Sequence, residues 1–306
     1  MKTSRMTHEA VEEVQNFSGQ PKKIRTFSLG SRILAIWRLF IYAMINLVFI
    51  STQMVLRWVN GEKLGAFAVF YHRICCRTLG IYISIKGQPS PHRPTLYVAN
   101  HTSYVDIISF ASLMPISFVS KAEVSKWPIF GLLARLQRTV FIDRQPKNTG
   151  VHRNSMAERF QEGDSLMLFA EGTTNDGNRL FPFRSSLLSV AETKLIPGQN
   201  VTDPHVMVQP VSIAYTHLNG LPLGYSWRYL IAWYGDVGFG EHIWQLLRLG
   251  KIRVLIEFHE PVNIHQFKSR KEMTDYCFQQ VQEGFQEAIT GRQASPLSNE
   301  RGKMKG

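Results

Sequence analysis

Thr95-Leu96-Tyr97-Val98-Ala99-Asn100-His101-Thr102-Ser103-Tyr104-Val105-Asp106 is the stretch on which the reading of this chain turns. Its first five residues form an apolar run. Upstream lies a turn-rich break from Gly87 to Pro94, with three prolines. A short apolar run bounded by turn signals reads as a β-strand. The polar residues that follow suit a helix start, where short side chains can satisfy orphan N–H groups. A strand that feeds a helix through a polar junction is the unit of an α/β fold. Its loop is a common seat for catalytic groups, because a rigid strand supports it.

The same alternation runs along the chain. Ile81, Ile83 and Ile85 alternate with Tyr82, Ser84 and Lys86, the period of a strand. Further strands are expected at Ser117–Ser120, Thr139–Ile142, Leu166–Ala170, Val206–Tyr215 and Ile252–His259. Helices are expected at Ile107–Leu113, Ile129–Leu136, Val151–Glu162, Leu187–Thr193 and Glu272–Ile289. The prediction is an α/β fold over residues 81–290, a mixed central sheet flanked by helices. Residues 1–30 read as a polar extension without a cleavable signal peptide, and residues 291–306 as a basic tail.

His101 and Asp106 form a base and a carboxylate able to orient it. On one regular helix, residues five apart point about 140° away from each other. The two side chains converge only if His101 precedes the first helical turn and Asp106 lies inside it. Asp106 then accepts from one imidazole nitrogen and leaves the other free as a base. A capped helix start with an incidental histidine is the plainer alternative.

The composition narrows the class. The 306 residues include 35 Lys and Arg against 23 Asp and Glu, a net charge of +12. Such a surplus implies an anionic partner: a membrane surface, a nucleic acid or an acidic substrate. Hydrophobic residues make up 44%, too many for a disordered basic tail. Cys75, Cys76 and Cys277 have neither zinc-ligand nor redox-motif spacing, so no disulfide framework and no metal site is expected.

Between Arg38 and Arg57 lie 18 uncharged residues, the lower limit for a membrane-spanning helix. Arg32 and Arg38 precede them, and Arg57, Lys63, Arg73 and Arg77 follow. With basic residues on both sides, no orientation can be read. A second helix is expected from Leu64 to Leu79. Residues 31–80 therefore read as a membrane-associated hairpin in one leaflet, with lysines and arginines reaching lipid head groups. One true span and a buried core helix are the rivals.

Three further segments share the character of the His101 junction. Phe141-Ile142-Asp143-Arg144 places a cation after a strand. Phe169-Ala170-Glu171-Gly172-Thr173-Thr174 places a carboxylate and a glycine at another strand end. Val208-Gln209-Pro210-Val211 lies within a later strand. Alone, each has a structural reading: a surface charge, a strand-to-turn junction, a proline on an edge strand. In this order they resemble the four sequence blocks of the glycerolipid acyltransferase family, over roughly residues 75–265. Asn100, His101 and Asp106 match the first block, and Phe141 to Arg144 the second. Glu171, Gly172 and Thr173 match the third, and Val208 to Val211 the fourth. Lys121 stands where the family tends to carry a lysine.

The resemblance implies acyl transfer from acyl-CoA or acyl-acyl carrier protein, as co-substrate, to a lysolipid hydroxyl. It implies no bound cofactor, and it implies an N-terminal helical element on a membrane, the cytoplasmic face of the inner membrane in a bacterium. His101 would be the general base and Asp106 its orienting carboxylate. Arg144 would hold an anionic head group. Glu171 would bind acceptor hydroxyl or head-group atoms, with Gly172 allowing close backbone approach. Thr173, Lys121 and Pro210 complete the expected substrate-binding set. No Gly-x-Ser-x-Gly elbow is present, although Thr102 or Ser103 aligned on His101 could carry a covalent acyl group.

Two positions depart from the phosphatidate-forming pattern Pro-Glu-Gly-Thr-Arg: Ala170 replaces its proline and Thr174 its arginine. Arg179 or Arg184 could restore the charge. Glu171 to Gly177 instead resembles members that acylate other lysolipids, including lyso-ornithine lipid, and Trp233-Tyr234-Gly235-Asp236 resembles that branch more loosely. A non-catalytic basic lipid- or nucleic-acid-binding protein is the rival from another class. Intact His101 and Asp106 argue against a non-catalytic lipid binder. The nucleic-acid reading is disfavoured because the basic residues are dispersed and no recognition motif is present.

Overall fold

The computed structural model describes residues 31–59, 64–142, 149–196 and 204–291. The first two helices among the described residues are α1 (Arg32–Val59) and α2 (Leu64–Leu79). The α/β region then runs β1 (Ile81–Lys86), β2 (Thr95–Ala99), α3 (Val105–Ala111), β3 (Ser117–Lys121), α4 (Phe130–Leu136), β4 (Val140–Ile142), α5 (Thr149–Gln161) and β5 (Leu166–Phe169). It continues through β6 (Met207–Leu218), β7 (Leu221–Pro222), α6 (Phe239–Arg248), β8 (Ile252–Phe258), β9 (Val262–Asn263) and α7 (Arg270–Thr290).

The strands form one mixed sheet in the order β1, β8, β6, β2, β5, β3, β4, with β7 and β9 paired to β6. β6, β2, β5, β3 and β4 are mutually parallel, and β8 runs antiparallel to β6. β2 and β5 are buried along their whole length, which is why they read as continuous apolar runs. Their side chains alternate between two cores. Tyr97, Ala99, Met167 and Phe169 enter the core that also holds residues of α3 and α6. Leu96, Val98, Leu166 and Leu168 enter the one that includes residues of α5 and α7. Because the strands run one way, the segments after β2, β5, β3 and β4 leave the sheet at a common edge.

The predicted elements are present, with small differences in bounds and type. Residues 185–192 form a 3-10 helix rather than an α-helix. α6 and the 3-10 turn Tyr225–Leu230 lie in a region where no element was predicted. α6 nevertheless buries His242, Leu246 and Leu247 at helical spacing.

α1 includes a stretch, Arg32–Leu56, that is long and apolar enough to cross a membrane. It lies against α2 and the α/β region along one stripe. Ala35, Arg38, Asn46, Phe49 and Gln53 are buried, while Ile36, Trp37, Phe40, Leu47, Val48 and Met54 are exposed. The polar members of the stripe bond to protein. Arg38 Nη1 donates to the carbonyls of Leu247 at 3.1 Å and Leu249 at 2.5 Å. Asn46 Oδ1 accepts from Tyr71 Oη at 3.0 Å. Arg38, expected among the head-group cations, instead neutralises the carbonyl end of α6. Arg73 is likewise engaged, donating from Nε to the Ser112 carbonyl at 2.9 Å.

Candidate active site

His101 sits just beyond β2, and α3 begins at Val105, so Asp106 lies inside the first turn with His101 before it. This is the arrangement that the five-residue spacing required. The His101 Nδ1 to Asp106 Oδ2 distance is 2.9 Å. The expected side-chain caps do not form in the expected way. The cap residue Tyr104 makes no side-chain cap bond. The Asp106 carboxylate does that work, with Oδ2 accepting from the N–H groups of Thr102 at 2.7 Å and Ser103 at 2.9 Å. These bonds draw the helix start forward to Val105. Asn100 turns to the neighbouring strand, donating to the Ile213 carbonyl and accepting from its N–H, both at 2.8 Å. Tyr215 Oη donates to Asp106 Oδ1 at 2.5 Å. Asp106 is fully buried, and both of its oxygens accept hydrogen bonds.

The imidazole has two supports. Its ring stacks on Phe169 of the adjacent strand, with centroids 4.0 Å apart and planes 12° apart. The Ala99–Phe169 register of β2 and β5 makes that contact possible. Nε2 has no hydrogen-bond partner among the described residues, and the side chain is 18% exposed. The group is thus an oriented imidazole with one nitrogen free to take a proton.

Glu171, expected to face substrate, is 1% exposed. Oε1 accepts from the His101 N–H at 2.7 Å and Oε2 from the Phe181 N–H at 2.7 Å. Asn175 Nδ2 donates to both, at 2.9 and 3.1 Å. Burial pushes the Glu171 carboxyl up to about 7, against the N–H donors that pull it down. Asn175 extends the web: its N–H donates to the His101 carbonyl at 2.9 Å, and its Oδ1 accepts from Thr102 Oγ1 at 3.1 Å. The segment after β5 therefore clamps the loop after β2.

Gly172 has φ +72°, a conformation that L side chains rarely adopt. A Cβ there would lie 3.1 Å from Arg184 Nε, which places the exposed Arg184 guanidinium over the Glu-Gly-Thr turn. Thr173 is exposed on that turn, and Lys121 is exposed at the end of β3. Arg144 lies outside the described residues, two positions past the end of β4. Pro210 is buried on β6, between β2 and β8 in the sheet interior, in register with Val98. That is a central position rather than the sheet edge that a lone proline suggests.

Neither candidate covalent nucleophile touches the imidazole. Thr102 Oγ1 bonds Asn175, and Ser103 Oγ accepts from the Val105 N–H at 3.4 Å. A second serine–histidine pair, Ser212 Oγ and His259 Nε2 at 2.7 Å, lies beneath α7, where a Cβ at Gly284 would come within 2.6 Å of that oxygen. Its hydroxyl also donates to the Val281 carbonyl, so the pair joins helix to sheet.

Sequence reasoning missed Tyr215 and Asn175. Asn175 sits within the polar run after Glu171, where short-range turn chemistry is a usable signal. Tyr215 has no local signal, because its partner is 109 residues away.

The signature of the family described as Acyltransferase matches residues 82–214. A lyso-ornithine lipid O-acyltransferase of Rhizobium meliloti is 36% identical over 258 residues, 84% of this chain and 87% of that protein. One of Brucella abortus is 40% identical over 239 residues, 78% of this chain and 88% of that protein. In fold, the chain resembles the crystal structure of the 1-acyl-sn-glycerophosphate acyltransferase from Thermotoga maritima. The TM-score is 0.63 at 20% identity, covering 86% of this chain and 97% of that one.

Proposed function

This chain belongs to the acyltransferase family and is an O-acyltransferase of lysolipids in lipid biosynthesis, and from that premise we propose that its acceptor is lyso-ornithine lipid and its general base is His101. The observation that carries the mechanism is the 2.9 Å contact between His101 Nδ1 and Asp106 Oδ2, with Nε2 left unpartnered among the described residues. In this reading Nε2 takes the proton of the acceptor hydroxyl as its oxygen attacks the thioester carbonyl. The C–O bond forms, the tetrahedral oxyanion collapses, and the C–S bond breaks. The departing sulfur receives the proton from Nε2. Asp106 holds the Nδ1–H tautomer and stabilises the imidazolium between the two transfers. The donor is acyl-CoA or acyl-acyl carrier protein.

Two features support the acceptor assignment. The relatives at 36% and 40% identity carry that activity in their names. Thr174 stands where the phosphatidate-forming pattern has arginine. An ornithine head group presents a carboxylate and an ammonium instead of a phosphomonoester. Arg184, over Gly172, supplies a forked donor for the carboxylate. Lys121, exposed at the end of β3, extends the cationic edge. Glu171 acts on His101 through its backbone rather than on substrate. The exposed apolar face of α1 supports membrane association, with its inner stripe docked on the protein so that the helix lies along the domain.

The test uses the purified full chain in detergent with lyso-ornithine lipid and lysophosphatidate in separate arms, each with acyl-CoA and with acyl-acyl carrier protein. Acceptor-dependent thiol release is expected with lyso-ornithine lipid. His101→Ala should lower it by about 10⁴-fold, as loss of a triad member does. Near-normal turnover in that variant would refute the mechanism. Release with lysophosphatidate alone would refute the acceptor.

A further inference from the structure

Between Leu221 and Trp244 large apolar side chains lie exposed: Leu221 at 71%, Tyr225 at 72%, Trp227 at 44%, Tyr234 at 38% and Trp244 at 36%. Single exposed apolar residues are ordinary, whereas five in one stretch of chain make a candidate interaction surface. We infer that the β6–β7 turn, the 225–230 turn and the outer side of α6 form a second lipid-contacting surface that meets the head-group layer of an anionic bilayer beside the active site. The inference rests on the membrane reading of α1.

Continuity with α1 is the first argument. Arg38 reaches the carbonyls of Leu247 and Leu249, which joins α1 to the end of α6. The flanking Trp37 and Phe40 stack at 6.4 Å between centroids on the exposed side of α1. The β6–β7 turn is tied to the same corner. Asn219 N–H donates to the Lys251 carbonyl at 2.7 Å, and Asn219 Oδ1 accepts from the Lys251 N–H at 2.8 Å. Arg38 joins α1 to the end of α6, and the Asn219–Lys251 pair, two residues beyond Leu249, holds the Leu221 turn to the same corner.

The surface also has the chemistry of a bilayer interface. Tyrosine and tryptophan combine an apolar ring with a polar tip and gather at that depth. Lys251 and Arg253 are exposed next to the turn, with Lys251 Nζ 5.8 Å from the Tyr82 ring centroid. Basic side chains of this kind reach anionic head groups. Acidic Asp236 and Glu241 are exposed in the segment between Trp233 and α6 and in the first turn of α6. There the surface meets the site: the Trp233 N–H donates to the Thr102 carbonyl at 3.0 Å, and the exposed Tyr234 follows it in the chain. A lysolipid lying in the bilayer surface reaches His101 without leaving that layer.

The experiment is site-directed fluorescence on the full chain. Cys75, Cys76 and Cys277 are buried, so a thiol-reactive nitrobenzoxadiazole dye reports from a single introduced cysteine. The dye goes on Leu221→Cys and Tyr225→Cys, with Leu47→Cys on α1 as the reference and Gln279→Cys on α7 as the control. Vesicles of phosphatidylglycerol and phosphatidylethanolamine should shift emission to the blue at Leu221, Tyr225 and Leu47 but not at Gln279. Lipids carrying a quencher near the head group should quench the first two. A shift at Leu47 alone overturns the second surface and leaves the membrane reading of α1 intact. No shift at any position overturns both. A shift at Gln279 as well, or one that grows with protein concentration without vesicles, assigns the signal to nonspecific insertion or a second copy of the chain and overturns the inference.

Discussion

Glu171→Gln separates two roles for this carboxylate, anchor of the catalytic loop or ligand for the acceptor. In the wild type, two oxygens serve the N–H groups of His101 and Phe181 and the amide of Asn175. Glutamine keeps one acceptor oxygen and turns an NH₂ group toward donors on the other side. One buried N–H is then orphaned, at about 1–3 kcal/mol, offset in part because a neutral amide is easier to bury than a carboxylate. A pH signature accompanies this. Burial raises the Glu171 carboxyl from 4.5 to about 7, so the folded state holds its proton more tightly than the unfolded state. Its contribution to stability is therefore fully present below 4.5 and is lost as pH rises through about 7. At about 1.4 kcal/mol per unit, that window is worth about 3 kcal/mol at most. The glutamine variant lacks this slope.

Denaturant unfolding in detergent between pH 4.5 and 8, beside steady-state kinetics, reads both quantities. The expected result is lower stability at acid pH, a flatter stability profile, a fall in kcat of about tenfold from a displaced His101, and a KM for lysolipid near the wild-type value. A KM raised tenfold or more, with stability and its pH dependence unchanged, would refute the anchoring role and make Glu171 a substrate ligand.

Tyr215→Phe removes the Oδ1 donor of a fully buried carboxylate, so unfolding free energy should fall by about 1.5–3 kcal/mol together with kcat; unchanged stability would show that the contact is dispensable. Arg184→Ala should lower kcat/KM for lyso-ornithine lipid about 10- to 100-fold and leave the donor's KM alone, since a charged fork to a carboxylate is worth that much. Equal loss for both substrates would place its effect on the fold instead. Leu47→Glu with Met54→Glu puts charge on the exposed face of α1 and spares its docked stripe, so membrane sedimentation should drop while the melting temperature holds. Undiminished sedimentation would remove α1 as the main lipid contact.

Local signals carried much of this protein. The alternation in 81–86, the apolar run 95–99 and the glycine after α5 depend on neighbours in sequence, and the elements appear where such signals were present. α6 went unread because Gly235, Gly238 and Gly240 crowd its start and read locally as a loop. The convergence of His101 on Asp106 was also legible, because a five-residue spacing across a helix start has one way to close. Four motifs in order named the family for the same reason: each is short and local.

Tertiary structure decided the roles. Whether Glu171 faces substrate or backbone depends on where residues 101, 175 and 181 fall around it. Tyr215 depends on β6 lying beside β2, Arg38 on α6 ending beneath α1, and Arg184 on the chain folding back across Gly172. Sequence determined which groups capable of chemistry the chain carries and which strands and helices bear them, since propensity and periodicity act over a few residues. Only the fold decided which of those groups stay open to lipid and which serve each other, because burial and long-range hydrogen bonds arise between segments that no local pattern connects.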